Sequence, residues 1–293
     1  MIETPRLYPE PLPAIFPLPE YAATGRRKEQ YQDMKQVLQV PWMGVVTMAY
    51  AHYPGFFEVL WNGLKPLVQS RAFVEHAQAL QGFVEDEVRA LAPPPLEPRL
   101  RELGYAAREI DNIRDMIAIF SHGNHPYLLI STITRLLLEG CEIGGTAAAH
   151  PYEGRHAPQV QVPFVLLEAH HADAPTRAVY EDIKATLHLP FVNTDYRALA
   201  RWPSYFALAW ADLRKVANGP THAAICAAIH KRATEAVVGA LPNPGGLATE
   251  ALRAAADKDA SAKEVLQTCR LFQWLLPGLV TNVAFFRSQL ESA

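Results

Sequence analysis

Apolar residues recur along this chain at helical spacing. From Leu128 to Leu137, positions 128, 129, 132, 133, 136 and 137 are apolar or threonine, the stripe of a buried helical face, with Arg135 and Glu139 outside it. Prolines cut the pattern into segments, because proline lacks the N–H that a helix interior needs. The segments predict helices over about 28–39, 43–52, 55–68, 71–91, 107–120 and 126–140. A second series is predicted over about 174–188, 193–202, 204–217, 221–241, 247–256, 261–274 and 278–291. Between the two, Gly140, Gly144, Gly145, Pro151, Gly154 and Pro158 mark a linker. Residues 1 to about 26, with Pro5, Pro9, Pro11, Pro13, Pro17 and Pro19, read as an extended arm. No stretch alternates with period two between hairpin turns, so the expected fold class is all-α.

The second series repeats the first. Setting Tyr31 on Tyr180 gives an offset of 149 that holds without a gap to Lys65 and Arg214, and eleven of the 35 aligned positions are identical. Asp33 and Asp182, Pro41 and Pro190, Pro54 and Pro203, and Trp61 and Trp210 are among them. Further on, after small gaps, Phe120, Pro126 and Leu128 face Phe272, Pro277 and Leu279. A period this long lies outside the solenoid range and predicts a tandem duplication of two helical lobes with a pseudo-twofold arrangement. The first lobe, with the arm, is expected over about 1–141, the linker over 142–162 and the second lobe over 163–293.

A duplication shows which positions had to differ. Gly44, Val45 and Val46 stand opposite Asn193, Thr194 and Asp195, so three apolar or small positions became a polar cluster. In the other direction, Ser121-His122-Gly123-Asn124-His125 faces the largely apolar region Gln273-Trp274-Leu275-Leu276. Asp195 is the only carboxylate in a mostly apolar stretch, three residues into a segment that opens at Pro190 and Asn193 with the signals of a helix start. The plain reading is a helix cap with a dipole-compatible acid, and for Asn124 a loop amide capping a helix that begins near Pro126. The chemical reading has the lobes meeting face to face, so that Asp195 and Asn124 converge in an apolar cleft. A lone carboxylate there is a usable general base, and an amide with donor and acceptor can hold a water against it.

Composition narrows the classes. With 49% hydrophobic residues there is ample material for a core, and a formal charge of -3 with scattered Lys and Arg argues against nucleic acid or a membrane surface as partner. Cys141, Cys226 and Cys269 have neither CxxC nor zinc spacing and are expected as buried thiols in a reducing compartment. The Pro-rich start is wrong for a signal peptide, and the longest apolar run, Trp274 to Phe286, is interrupted by Pro277, Gly278 and Asn282 and is too short to span a bilayer. A cytoplasmic location is expected. His122 with His125, and His170 and His171 with Glu168, lack further ligands at metal spacing and are expected to be loop or capping histidines, so no metal is predicted.

Pro190-Phe191-Val192-Asn193-Thr194-Asp195-Tyr196-Arg197-Ala198-Leu199-Ala200-Arg201-Trp202-Pro203 and Gly123-Asn124-His125-Pro126-Tyr127-Leu128 resemble two motifs of the group I D- and DL-2-haloacid dehalogenases, which are unrelated to the L-specific enzymes of the HAD fold. Length, linker and tandem layout agree, so the resemblance covers nearly the whole chain. It implies a cofactor-independent hydrolysis of the carbon–halogen bond at C2 of short 2-haloacids. Asp195 would activate a water that attacks C2 directly with inversion, and Asn124 would assist. It also implies a homodimer and a knotted chain. Family members accepting both enantiomers tend to have a small residue two positions before the Asp; Asn193 here implies D-preference. Thr194, Val45, Trp42 and Phe272 are expected to line the substrate site, with Leu271 competing for the role of Phe272. The substrate carboxylate has two candidate anchors, Arg197 and the backbone amides near Thr194. The contrasting hypothesis is a non-catalytic helical binding module, in which the Asp195 motif is only a cap.

Overall fold

The computed structural model describes residues 4–291, so the first three residues of the predicted arm and the last two of the chain lie outside the described residues. Twelve α-helices are present among the described residues, and no sheet forms there. They are α1 (Gly25–Leu38), α2 (Val45–Tyr50), α3 (Pro54–Val68), α4 (Arg71–Val88), α5 (Glu97–Glu102), α6 (Ala107–Glu139), α7 (Ala174–Leu187), α8 (Thr194–Leu199), α9 (Pro203–Leu213), α10 (Pro220–Gly239), α11 (Thr249–Asp259) and α12 (Ala262–Ser288). The all-α expectation is met.

Two predicted breaks are not breaks. Pro126 and Pro277 lie inside the continuous helices α6 and α12. An interior proline costs about 3 kcal/mol by deleting one backbone hydrogen bond and crowding the preceding turn. In α6 that cost is outweighed, because Tyr127, Leu128, Leu129, Ile130, Ile133, Leu136, Leu137 and Leu138 are all buried, each contributing about 1.5–3 kcal/mol. Arg135 is buried too, contrary to its predicted place outside the stripe. Its guanidinium bonds the Gln273 side chain and, at 3.1 Å, Glu139, which also receives Arg270 at 2.9 Å.

The helices form two compact units. The first comprises the described chain up to Leu80, Gly123–Ala157 and Ala227–Pro277. In it α11 lies on α3, where the Asp259 carboxylate accepts the Phe56 N–H at 2.7 Å and so caps a helix start that Pro54 opens. The arm is tied down in this unit. The Leu18 N–H donates to the Met48 carbonyl at 3.0 Å, and Glu20, in a 3₁₀ turn that the sequence pattern did not show, accepts the Met43 N–H at 2.7 Å.

The second unit comprises Gln81–His122, Pro158–Cys226 and the chain from Gly278 onward. Its α7 starts with Asp173 accepting the Thr176 N–H at 2.9 Å. Helix α5, which the pattern also missed, is held by Arg99 on the buried Asp212 at 2.8 Å.

Several contacts of the first unit recur inside the second at the offset of 149. Trp61 Nε1 donates to Asp33 at 2.8 Å, and Trp210 Nε1 to Asp182 at 2.7 Å. Tyr31 Oη donates to the Leu18 carbonyl at 2.8 Å, and Tyr180 Oη to the Leu167 carbonyl at 2.7 Å. The Leu167 N–H reaches the Arg197 carbonyl at 2.9 Å, matching Leu18 to Met48. Helices α1 and α7 both end on a left-handed residue, Gln39 at φ 53° and His188 at φ 54°.

Candidate active site

The sequence-predicted residues fall into two groups. Trp42, Val45, Asn124 and Phe272 belong to the first unit, and Asn193, Thr194 and Asp195 to the second.

In the first unit, Trp42 and Gly44 lead into α2. The Tyr127 hydroxyl donates to the Trp42 carbonyl at 2.8 Å, and the two rings lie 5.9 Å apart. Two glycines make this fit possible. A Cβ on Gly44 would stand 3.0 Å from three atoms of the Tyr127 ring, and one on Gly123 would run into the Trp42 indole. Gly123 therefore sets the indole directly beside the α6 backbone that carries Asn124. Asn124 is 4% exposed and sits within α6, two residues before Pro126, so it is not a loop amide capping a new helix. His122 and His125 are likewise helical rather than loop histidines. Val45 opens α2 half-buried, and Phe272 is buried with its ring edge-on to Tyr50 at 6.3 Å. Leu271 is buried as well.

In the second unit, Asn193, Thr194 and Asp195 form the start of α8, and Asp195 is 2% exposed. Asn193 occupies the N-cap with an extended backbone, φ -60° and ψ 156°, but its side chain makes no capping bond. Its Oδ1 is buried without a hydrogen-bond partner. The cap reading of Asn193 is thereby overturned: the residue has the position of a cap and leaves its acceptor available. Thr194 Oγ1 accepts from Arg197 Nη2 at 3.3 Å, and Arg197 Nη1 binds both Glu168 oxygens, at 2.6 and 2.8 Å. Of the two candidate carboxylate anchors, Arg197 thus has its charge already paired.

A buried polar chain fixes α8 from behind. Asn282 on α12 donates to Tyr196 Oη at 2.9 Å and lies 2.9 Å from His222 Nε2, and His222 Nδ1 is 3.7 Å from Cys226 Sγ. The Tyr196 hydroxyl is pushed well above the usual phenol range, first by burial, with the Asn282 bond opposing and the Asp195 charge adding to the rise. The phenol stays protonated, and α8 is pinned one residue from the carboxylate. Sequence reading missed Asn282 and His222. The signal is Asn282 itself, the one amide in the apolar run from Leu275 to Phe286.

All three cysteines are buried thiols. Among the described residues, no three His, Cys, Asp or Glu side chains are grouped to hold a metal ion, and no helix is long and apolar enough to cross a membrane.

An all-α chain with a buried carboxylate at the start of a short helix can now be set beside known proteins. The family described as Halocarboxylic acid dehydrogenase DehI matches residues 41–189. An (R)-2-haloacid dehalogenase of Rhizobium sp. (strain NHG3) is 48% identical over 248 residues, covering 84% of this chain and 96% of that protein. An (R)-2-haloacid dehalogenase of Pseudomonas putida is 38% identical over 279 residues, covering 94% and 92%. A solved structure, the complex of a D-2-haloacid dehalogenase mutant with D-2-CPA, superposes with a TM-score of 0.89 at 35% identity and covers 99% of both chains. The class is that of helical 2-haloacid dehalogenases. The chain belongs to the DehI family, whose description says dehydrogenase although both relatives are named dehalogenases.

Proposed function

We infer that this chain is a 2-haloacid dehalogenase that hydrolyses D-2-haloalkanoic acids to 2-hydroxy acids with inversion at C2. The observation that carries this reading is Asp195, a carboxylate 2% exposed at a helix start where the first unit has Val46. A scaffold gains nothing from burying that charge, since desolvating a carboxylate costs several kcal/mol.

In the proposed reaction Asp195 takes a proton from water as the water oxygen bonds to C2. The carbon–halogen bond breaks and the halide leaves with the electron pair. Attack opposite the leaving group inverts the centre. Asn124 assists by holding the water, since its amide can both donate and accept. Water is a weak nucleophile, and holding it about 3–3.5 Å from C2 recovers much of the entropy of a bimolecular encounter. Water, carboxylate and substrate account for every atom and electron, so the reading calls for no cofactor or metal. Asn193 crowds the place where an L-substrate would put its substituent, and Thr194, Trp42, Val45 and Phe272 line the site. The proposal extends to a homodimer working in the cytoplasm.

Halide release from separate D- and L-2-chloropropionate tests the reading. The wild type should turn over the D-form faster, and Asp195→Ala should release almost none from either. Equal rates for wild type and variant would remove Asp195 from catalysis, and faster turnover of the L-form would refute the role given to Asn193.

A further inference from the structure

The first unit shows what fills the space beside the start of a short helix. There the Tyr127 ring lies on Gly44, 3.0 Å from where a Cβ would be, and its hydroxyl holds the Trp42 carbonyl. Both partners change in the second unit. Gly44 corresponds to Asn193 at the offset of 149. Pro126 corresponds to Pro277, so Tyr127 corresponds to Gly278.

A contact inside the second unit agrees with this register. Asn282 on α12 bonds Tyr196 on α8 at 2.9 Å. One helical turn back along α12 is Gly278, and one turn back along α8 is Asn193. The same two steps in the first unit lead from Ser131 to Tyr127 and from Thr47 to Gly44, the pair in contact. Two further observations single out this pair. Every residue from Leu275 to Phe286 is buried except Gly278, which is half-buried. The Asn193 Oδ1 is buried and has no partner. Gly278 has no positive φ, so its glycine is not required by the backbone.

We propose that Gly278 is a specificity-determining residue: by omitting the ring that Tyr127 supplies in the first unit, it opens the apolar space beside Asn193 that receives the alkyl group on C2 of the substrate. The assignment rests on the dehalogenase reading above. The next residue along α12, Leu279, is apolar and suits an alkyl chain, and the Asn193 amide supplies the polar edge. A pocket of this kind discriminates by methylene count, about 10-fold or more per group.

The test measures kcat/KM for halide release from chloroacetate, D-2-chloropropionate and D-2-chlorobutyrate. Gly278→Ala should lose at least about 10-fold more on D-2-chlorobutyrate than on chloroacetate, with circular dichroism and Tm showing a folded protein. An equal loss on all three substrates, or no loss, overturns the assignment while leaving the dehalogenase reading intact. Should Gly278→Ala not fold, Asn193→Ala enlarges the same space from the opposite wall. It should then shift preference toward D-2-chlorobutyrate by about 5-fold, and an unchanged ratio overturns the assignment. Wild-type protein that releases halide from none of the three overturns the dehalogenase reading and this assignment together.

Discussion

Helices α2 and α8 have the same frame and opposite contents. Each has six residues, each N-cap is extended at φ -60°, and neither start is capped by the side chain at that position, glycine in one and an unbonded Asn193 in the other. In α2 the start is Gly44-Val45-Val46, sealed by the Tyr127 ring. In α8 it is Asn193-Thr194-Asp195, with an unpartnered amide oxygen and a buried carboxylate. The backbone therefore does not demand the polar version. Where one frame can be closed with apolar side chains, the costlier polar set in the other is the one that the proposed reaction uses.

Exchanging the two sets is the strongest way to break this comparison. Asp195→Val, which installs the residue of α2, should lower halide release by about 10³-fold while the protein melts no lower than wild type. The reverse change, Val46→Asp, should unfold the protein or lower its stability by several kcal/mol, read from denaturant melts. If Asp195→Val melted below wild type, the claim that the scaffold gains nothing from Asp195 would be wrong.

A smaller effect is expected at the neighbouring position. Gly44→Asn, the residue of α8, pushes against the Tyr127 ring and should cost about 1–3 kcal/mol. That appears as a Tm lower by about 2–4 °C per kcal/mol for a chain of this size. A Tm equal to wild type would show that Tyr127 is free to move and does not seal α2.

The smallest effect separates the buried polar networks of the two units. In the first, the Thr4 carbonyl accepts from His230 Nε2 at 2.6 Å, so Nδ1 is the bare nitrogen that faces the Gln273 amide, and Arg135 bonds the other end of Gln273. Burial holds the His230 pKa below its ordinary 6.5, with the Thr4 bond opposing and Arg135 adding to the fall. The unfolded chain then binds more protons than the folded one below about pH 6.5, and stability falls as pH drops from that value to the folded pKa. Tm should decline through that window and stay level above it as far as His230 is concerned. His230→Gln should flatten the decline, and an unchanged slope would show that His230 does not cause it.

Much of this was legible in the sequence, and most of the failures share one cause. Helix type follows from local spacing, and the offset of 149 and the odd position of Asp195 from comparing the two halves; the Trp61–Asp33 and Trp210–Asp182 bonds are alike at that offset. The errors come where burial overrides a local rule. Pro126 and Pro277 look like helix breakers, yet the helices around them are buried enough to absorb one lost bond. Arg135 looks like a surface charge, and Gln273 and Glu139 let it go inside. Asn193 looks like a cap, and only coordinates show that its oxygen is unused. Asn282 was hidden for a different reason: its partners Tyr196 and His222 are 86 and 60 residues away, beyond any periodicity.

The central claim is that Asp195 drives water directly onto C2. A single turnover of D-2-chloropropionate in ¹⁸O-water, with enzyme in excess over substrate, tests it most directly. The account predicts that the hydroxy acid from that first turnover carries the label and that the protein carries none. Unlabelled product with ¹⁸O in the Asp195 carboxylate would mean that the carboxylate itself attacked C2 through an ester, and would contradict the account.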